Sequence, residues 1–178
     1  MNQKNVFFFV YAYILYILLQ VLFLRYVNFG GLAFCFAYIG YLLAFPLDFS
    51  RLLHLIIAFL VGISVDIFYD SPGIHAGACI LMVYFRKRII GVLAPTGGYE
   101  AGNQPSVLDL GSNWFLIYVS LSAFFHHAFV FFVSASNFKI VGNTLLKTIL
   151  SVVFTTAVLY FFQRTSLSYN KYKSRRRR

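Results

Sequence analysis

Hydrophobic positions in this chain gather into long uninterrupted runs, with polar residues confined to brief stretches between them. The first run, Val6–Leu24, contains no charge over 19 residues. That is about enough helix to cross a hydrocarbon core of roughly 30 Å. A secretory signal would have a shorter apolar core and a small-residue cleavage site before Arg25, so this run reads as an anchor. The second run covers 29–45 and stops at Pro46, whose ring and missing N–H favour a helix end. Further runs cover 52–68, 73–94, 113–133 and 144–162. The pattern predicts an all-α membrane protein, a bundle of six transmembrane helices forming a single domain over 1–178. A Gly- and Pro-rich cytoplasmic loop is expected over 95–112, and a basic cytoplasmic tail over 164–178.

The fourth run is the irregular one. Ile74–Phe85 is too short to cross alone, at roughly 18 Å of helix. Two solutions are open. The helix continues through Arg86-Lys87-Arg88 with the basic triplet snorkelling or facing a polar pocket, or the preceding turn sinks below the interface.

Composition agrees with a membrane class. The chain is 60% hydrophobic and 11% charged, with a mean hydropathy of +0.76. A soluble domain carries roughly 25% charged residues. Cys35 and Cys79 both lie inside apolar runs and read as small buried hydrophobes.

The net charge of +10 raises the question of nucleic acid, and its distribution argues against it. In a six-span topology one face collects Lys4, Arg51, Arg86, Lys87, Arg88, Arg164, Lys171, Lys173 and Arg175, Arg176, Arg177 and Arg178. Only Arg25, Lys139 and Lys147 fall on the other. The positive-inside rule makes the first face cytoplasmic, with both termini there. Arg86, Lys87, Arg88 and the terminal arginines read as a topology-fixing cluster that touches anionic lipid, gaining roughly 1 kcal/mol per residue.

Candidate chemistry concentrates in Gly62-Ile-Ser-Val-Asp66-Ile-Phe-Tyr-Asp70-Ser-Pro72-Gly73-Ile-His75-Ala-Gly77. Ala58, Gly62 and Asp66 share one helix face, and Gly73 and Gly77 repeat the small-residue spacing that lets membrane helices approach closely. A carboxylate in a membrane span costs at least about 2.5 kcal/mol at the bilayer centre, so Asp66 needs a partner. His75 across the turn and backbone N–H groups near Pro72 and Gly73 are the candidates. Asp70 reads as a turn residue bonding nearby backbone. His126-His127 invites a metal reading, yet adjacent helix positions diverge by about 100°. GxSxG, P-loop and HExxH patterns are all missing, so no enzyme and no cofactor are expected.

The stretch around Gly62, Asp66, Gly73 and Ala76 resembles the signature of the rod-shape-determining MreD family, as do the short spans and short connections. The resemblance implies a fold similar to the substrate-binding component of energy-coupling-factor transporters. It also implies a non-enzymatic scaffold of the elongation complex in the bacterial inner membrane, serving cell shape and peptidoglycan synthesis. The implied partners are an MreC-type bitopic protein and, through it, MreB filaments, a penicillin-binding transpeptidase and a RodA-type glycosyltransferase. A membrane helix of the partner is expected to pack against one face of the bundle, and the hairpin residues Gly62, Asp66, Asp70, Pro72, Gly73, His75 and Gly77 are the candidates for a structural or partner-binding role. The alternative is a vitamin-type binding subunit of a membrane transporter, drawing on Asp66, His75, Asn113, Trp114 and the histidine pair.

Overall fold

A computed structural model describes residues 3–100, 103–135 and 141–175, with the side chains of 3–6, 8 and 166–175 outside the described set. Helices dominate. In chain order they are α1 (Gln3–Leu22), α2 (Ile39–Leu43), α3 (Arg51–Tyr69), α4 (Ile74–Val92), α5 (Val107–Ser134) and α6 (Val141–Arg175). Two short strands, β1 (Asn28–Phe29) and β2 (Ala33–Phe34), lie between α1 and α2. Among the described residues four helices are long and apolar enough to cross a membrane: Phe9–Tyr26, Arg51–Tyr69, Val107–Ser134 and Val141–Thr165. This is the make-up of a multi-pass membrane protein.

Cross-helix bonds set the helix directions. Tyr13 meets Ser64 and Gln20 meets Tyr69, so α1 and α3 run parallel. Trp114 near Leu93 and His126 near His75 make α5 antiparallel to α4. Ser120 near Thr156 and Ser112 near Tyr160 make α6 antiparallel to α5. Phe9 of α1 and Gln163 of α6 line one cavity, so these two helices meet there.

The segment expected as a second helical span, 29–45, takes another form. Gly30 and Gly31 both have positive φ (58° and 70°) and turn the chain into a hairpin that pairs Asn28 with Phe34 and Phe29 with Ala33. An irregular stretch then leads to α2, which is only 5 residues long. Non-helical backbone is tolerated at membrane depth only where protein satisfies its polar groups. Here side chains from distant helices do so. Ser151 Oγ accepts from Phe34 N (2.9 Å) and Thr155 Oγ1 from Phe36 N (3.1 Å). Gln20 Nε2 donates to Cys35 O (3.0 Å), and Gln20 Oε1 accepts from Tyr38 N (3.4 Å). Residues 35–43 are consequently buried without a break.

The fourth expected span, 73–94, is the continuous helix α4, 19 residues or about 28 Å long. Helix α5 starts earlier than expected, at Val107, because Ser106 caps its first turn and the chain kinks at Gly111. It thereby takes up the last part of the expected 95–112 loop. Helix α6 runs past 162 to Arg175; Arg176, Arg177, Arg178 and the side chain of Arg175 lie outside the described residues.

Candidate functional site

The α3–α4 hairpin is built on Asp66. Its Oδ1 accepts from Ser71 Oγ and from His75 N, both at 2.9 Å, and its Oδ2 accepts from Ala76 N at 3.0 Å. The carboxylate thus caps the first turn of α4, where free N–H groups and the helix dipole favour negative charge. The expected partner was in part the His75 ring; the actual partners are the backbone of His75 and Ala76 and the hydroxyl of Ser71. Asp70 works through its backbone, taking the left-handed conformation (φ 51°) that ends α3. Its side chain and Pro72 are exposed. Gly73 precedes α4 with φ 81°, a conformation a side chain would strain.

Close approach completes the joint. A Cβ on Gly62 would lie 2.3 Å from Ala76 Cα and 2.6 Å from Ala76 N. No side chain fits there, because the obstacle is backbone. A Cβ on Gly77 would lie 2.8 Å from the Phe129 ring of α5. The two glycines therefore seat α4 against α3 on one side and against α5 on the other.

Behind the hairpin lies a buried polar chain that the sequence did not disclose. Tyr38 Oη is 2.9 Å from His75 Nδ1 and 2.6 Å from His126 Nε2. His126 Nδ1 is 3.3 Å from His127 Nδ1, and His127 Nε2 is 3.0 Å from Thr155 Oγ1. Cys79 Sγ adds a weak contact to Tyr38 Oη at 3.7 Å. The 100° divergence of His126 and His127 is real in its effect: one ring turns toward α4 and Tyr38, the other toward α6. Among the described residues no group of three or more His, Cys, Asp or Glu side chains is arranged to hold a metal. Proton counting constrains the chain. Tyr38 has one hydroxyl proton, so it donates to one histidine and accepts from the other, and the same direction must then hold through His126 and His127. Either direction leaves every ring neutral.

Arg86 takes the second of the two expectations for the basic triplet, facing polar groups inside the protein. It belongs to the cluster assigned to topology and lipid contact, but its side chain is only 4% exposed. Its Nε donates to Tyr118 Oη at 2.6 Å, and its Nη2 donates to Phe45 O and, at 3.3 Å, to Pro46 O. Tyr118 Oη in turn donates to Leu43 O (3.1 Å), and His54 Nε2 is 3.0 Å from Leu42 O. A five-residue helix has few internal bonds, so these side chains satisfy the carbonyls at and beyond the end of α2. Lys87 and Arg88 are exposed, as expected, with Arg88 Cζ 5.6 Å from the Phe85 ring centre.

The residues offered for a vitamin site fall into two groups: His75 and the histidine pair are joined through Tyr38, with Asp66 bonded to His75 N, while Asn113 and Trp114 lie apart from them. Asp66 and His75 sit at one end of α4. Trp114 sits at the other, donating to Leu93 O and Tyr99 Oη, both at 3.1 Å, and Asn113 beside it is exposed. Cavities of about 420 and 380 Å³ lie elsewhere, lined mainly by α5 and α6 residues and by α1, α2, α5 and α6 residues respectively.

No protein-family model matches the chain, and neither a curated protein nor a solved structure is significantly similar to it. What the fold and this site define is a class: a predominantly helical, multi-pass membrane protein whose intramembrane acid and histidines are bonded within the bundle.

Proposed function

We propose that the protein is a non-enzymatic membrane scaffold of the MreD type, in the bacterial inner membrane with both termini cytoplasmic. In this reading it binds an MreC-type bitopic protein. Through that partner it connects MreB filaments with a penicillin-binding transpeptidase and a RodA-type glycosyltransferase, serving cell shape and peptidoglycan synthesis.

One observation carries the reading. The four positions of the resemblance meet at a single joint: Gly62 abuts Ala76, Asp66 accepts from Ala76 N, and Gly73 opens the helix that both contact. An intramembrane acid handles ligands or protons, or else holds structure. Both oxygens of Asp66 are engaged by the protein's own donors, which supports the structural use. The same holds for His126 and His127, whose ring nitrogens bond to Tyr38, Thr155 and each other, and His75 bonds to Tyr38 through Nδ1. A rigid hairpin with its polar groups turned inward leaves the outer helix faces apolar, suited to lipid and to a partner's membrane helix.

Extraction from bacterial membranes in mild detergent, with photocrosslinkers along the outward faces of the long helices, tests the proposal. Capture of a bitopic cell-wall protein at stoichiometric yield is expected. Recovery of no such partner under gentle conditions, or a native mass spectrum with a stoichiometric metabolite, removes it.

A further inference from the structure

At the end of the bundle where α3 begins, a small pocket of about 80 Å³ is lined by Asp48, Arg51, His54, Arg86 and Lys87, among others. Three of these are cations and one is an acid. Arg86 is the unusual member, because a buried guanidinium normally has an acid beside it. Its bonded partners are instead a phenol and two carbonyls, reached through Nε and Nη2. Nη1 makes no bond to protein. No buried polar side-chain atom among the described residues is left unsatisfied, so Nη1 is not sealed in, and Arg86 is one of the residues that line the pocket.

Two further features favour an anion there. Arg51 is exposed with its guanidinium 4.5 Å from the Tyr84 ring centre, which holds it over α4 near the pocket. Ser50, the residue that opens α3, makes no side-chain cap, so the first N–H groups of a 19-residue helix face the same end unsatisfied. His54 contributes no charge-assisted donor, its Nε2 being engaged by Leu42 O.

Size and depth identify the ligand class. The pocket, about 80 Å³ and open to the outside, has room for one phosphate group whose carrier lies outside it. Helix α3 is about 28 Å long, close to the hydrocarbon thickness, so its first residue stands at headgroup level. Phosphate at that level arrives on lipid. We propose that Arg86, with Arg51 and Lys87, forms a site for the phosphate of an anionic lipid headgroup. Bound there, the phosphate gives Nη1 its missing acceptor and ties the ends of α2, α3 and α4 together. The site is independent of the scaffold reading.

The test uses the full chain in an uncharged detergent and follows its melting temperature during titration with dioctanoyl phosphatidylglycerol. Dioctanoylglycerol, which lacks phosphate, and inorganic phosphate are the parallel arms. Saturable stabilisation by the phosphatidylglycerol alone is expected. Arg51→Glu and Lys87→Glu, both on exposed side chains, should each move the midpoint at least about tenfold toward higher lipid, and Asp48→Asn should lower it. Arg86 is left intact, since it also supports α2. Equal stabilisation by dioctanoylglycerol, or midpoints that the three variants leave in place, overturns the site. Saturation by inorganic phosphate at the same midpoint overturns the lipid assignment.

Discussion

Tyr38 and His126, 88 residues apart, lie 2.6 Å apart at the centre of the bundle, and the same hydroxyl reaches His75 at 2.9 Å. One side chain from the irregular segment therefore links α4 and α5. Tyr38→Phe keeps the ring and its contacts with Phe36, His75 and His126 but orphans two imidazole nitrogens. We expect a loss of about 1–3 kcal/mol, the usual range for an unsatisfied buried polar group. Thermal unfolding in detergent checks it. A double-mutant cycle with His126→Leu should show a coupling of at least about 0.5 kcal/mol, and additive losses would mean that the bond is idle.

Gly62 offers a sharper contrast. Gly62→Ala places a methyl against Ala76 backbone, which has no rotamer with which to yield. Destabilisation of at least about 1–3 kcal/mol follows from overpacking alone. Gly91→Ala, in the same hairpin but with open space around its Cβ, should cause no loss, since alanine is the better helix former by up to about 1 kcal/mol. Equal melting temperatures for the two variants would contradict the packing described.

Removal of the Asp66 carboxylate should act on assembly. Asp66→Leu strips the acceptor from Ser71 Oγ and from the His75 and Ala76 N–H groups, and we expect a loss of about 2–4 kcal/mol. Asp66→Asn keeps one carbonyl oxygen and should lose less. Full retention of melting temperature and of partner recovery in Asp66→Leu would show the cap to be dispensable.

Thr155 tests the support of the irregular segment. Thr155→Val is nearly isosteric yet removes the acceptor for Phe36 N and the partner of His127 Nε2. We expect a loss of about 1–3 kcal/mol. Thr165→Val, on the exposed face of the same helix, removes only local bonds to Phe161 O and Phe162 O and should change stability by less than about 0.5 kcal/mol. Hydrogen exchange at Phe36 N, faster in Thr155→Val alone, would localise the effect.

Much of this architecture was legible from the apolar runs. Helices α1, α3 and α4 begin and end within a few residues of their expected bounds; length and hydropathy suffice for α1 and α3, whereas α4, interrupted by Arg86-Lys87-Arg88, is not among the four helices apolar enough to span. The hairpin was legible in kind: an acid among glycines announced a capped, close-packed turn. The 29–45 segment was not legible, because Gly30-Gly31 lies inside a run as apolar as its neighbours. The residues that rescue its backbone, Gln20 on α1 and Ser151 and Thr155 one turn apart on α6, look like ordinary polar exceptions in a helix.

What the sequence determined by itself was class and local geometry: apolar length makes membrane helices, and a carboxylate in such a helix demands donors close by along the chain. What tertiary structure decided was partnership. His126 and His127 became links toward different helices, and Arg86 turned inward, its Nε and Nη2 engaged by Tyr118 and by the carbonyls beyond a short helix. The physical reason is the range of the forces involved. Hydrophobic burial and helix capping act between near neighbours in sequence, whereas an irregular backbone or a buried cation is satisfied only by groups that folding brings from far away.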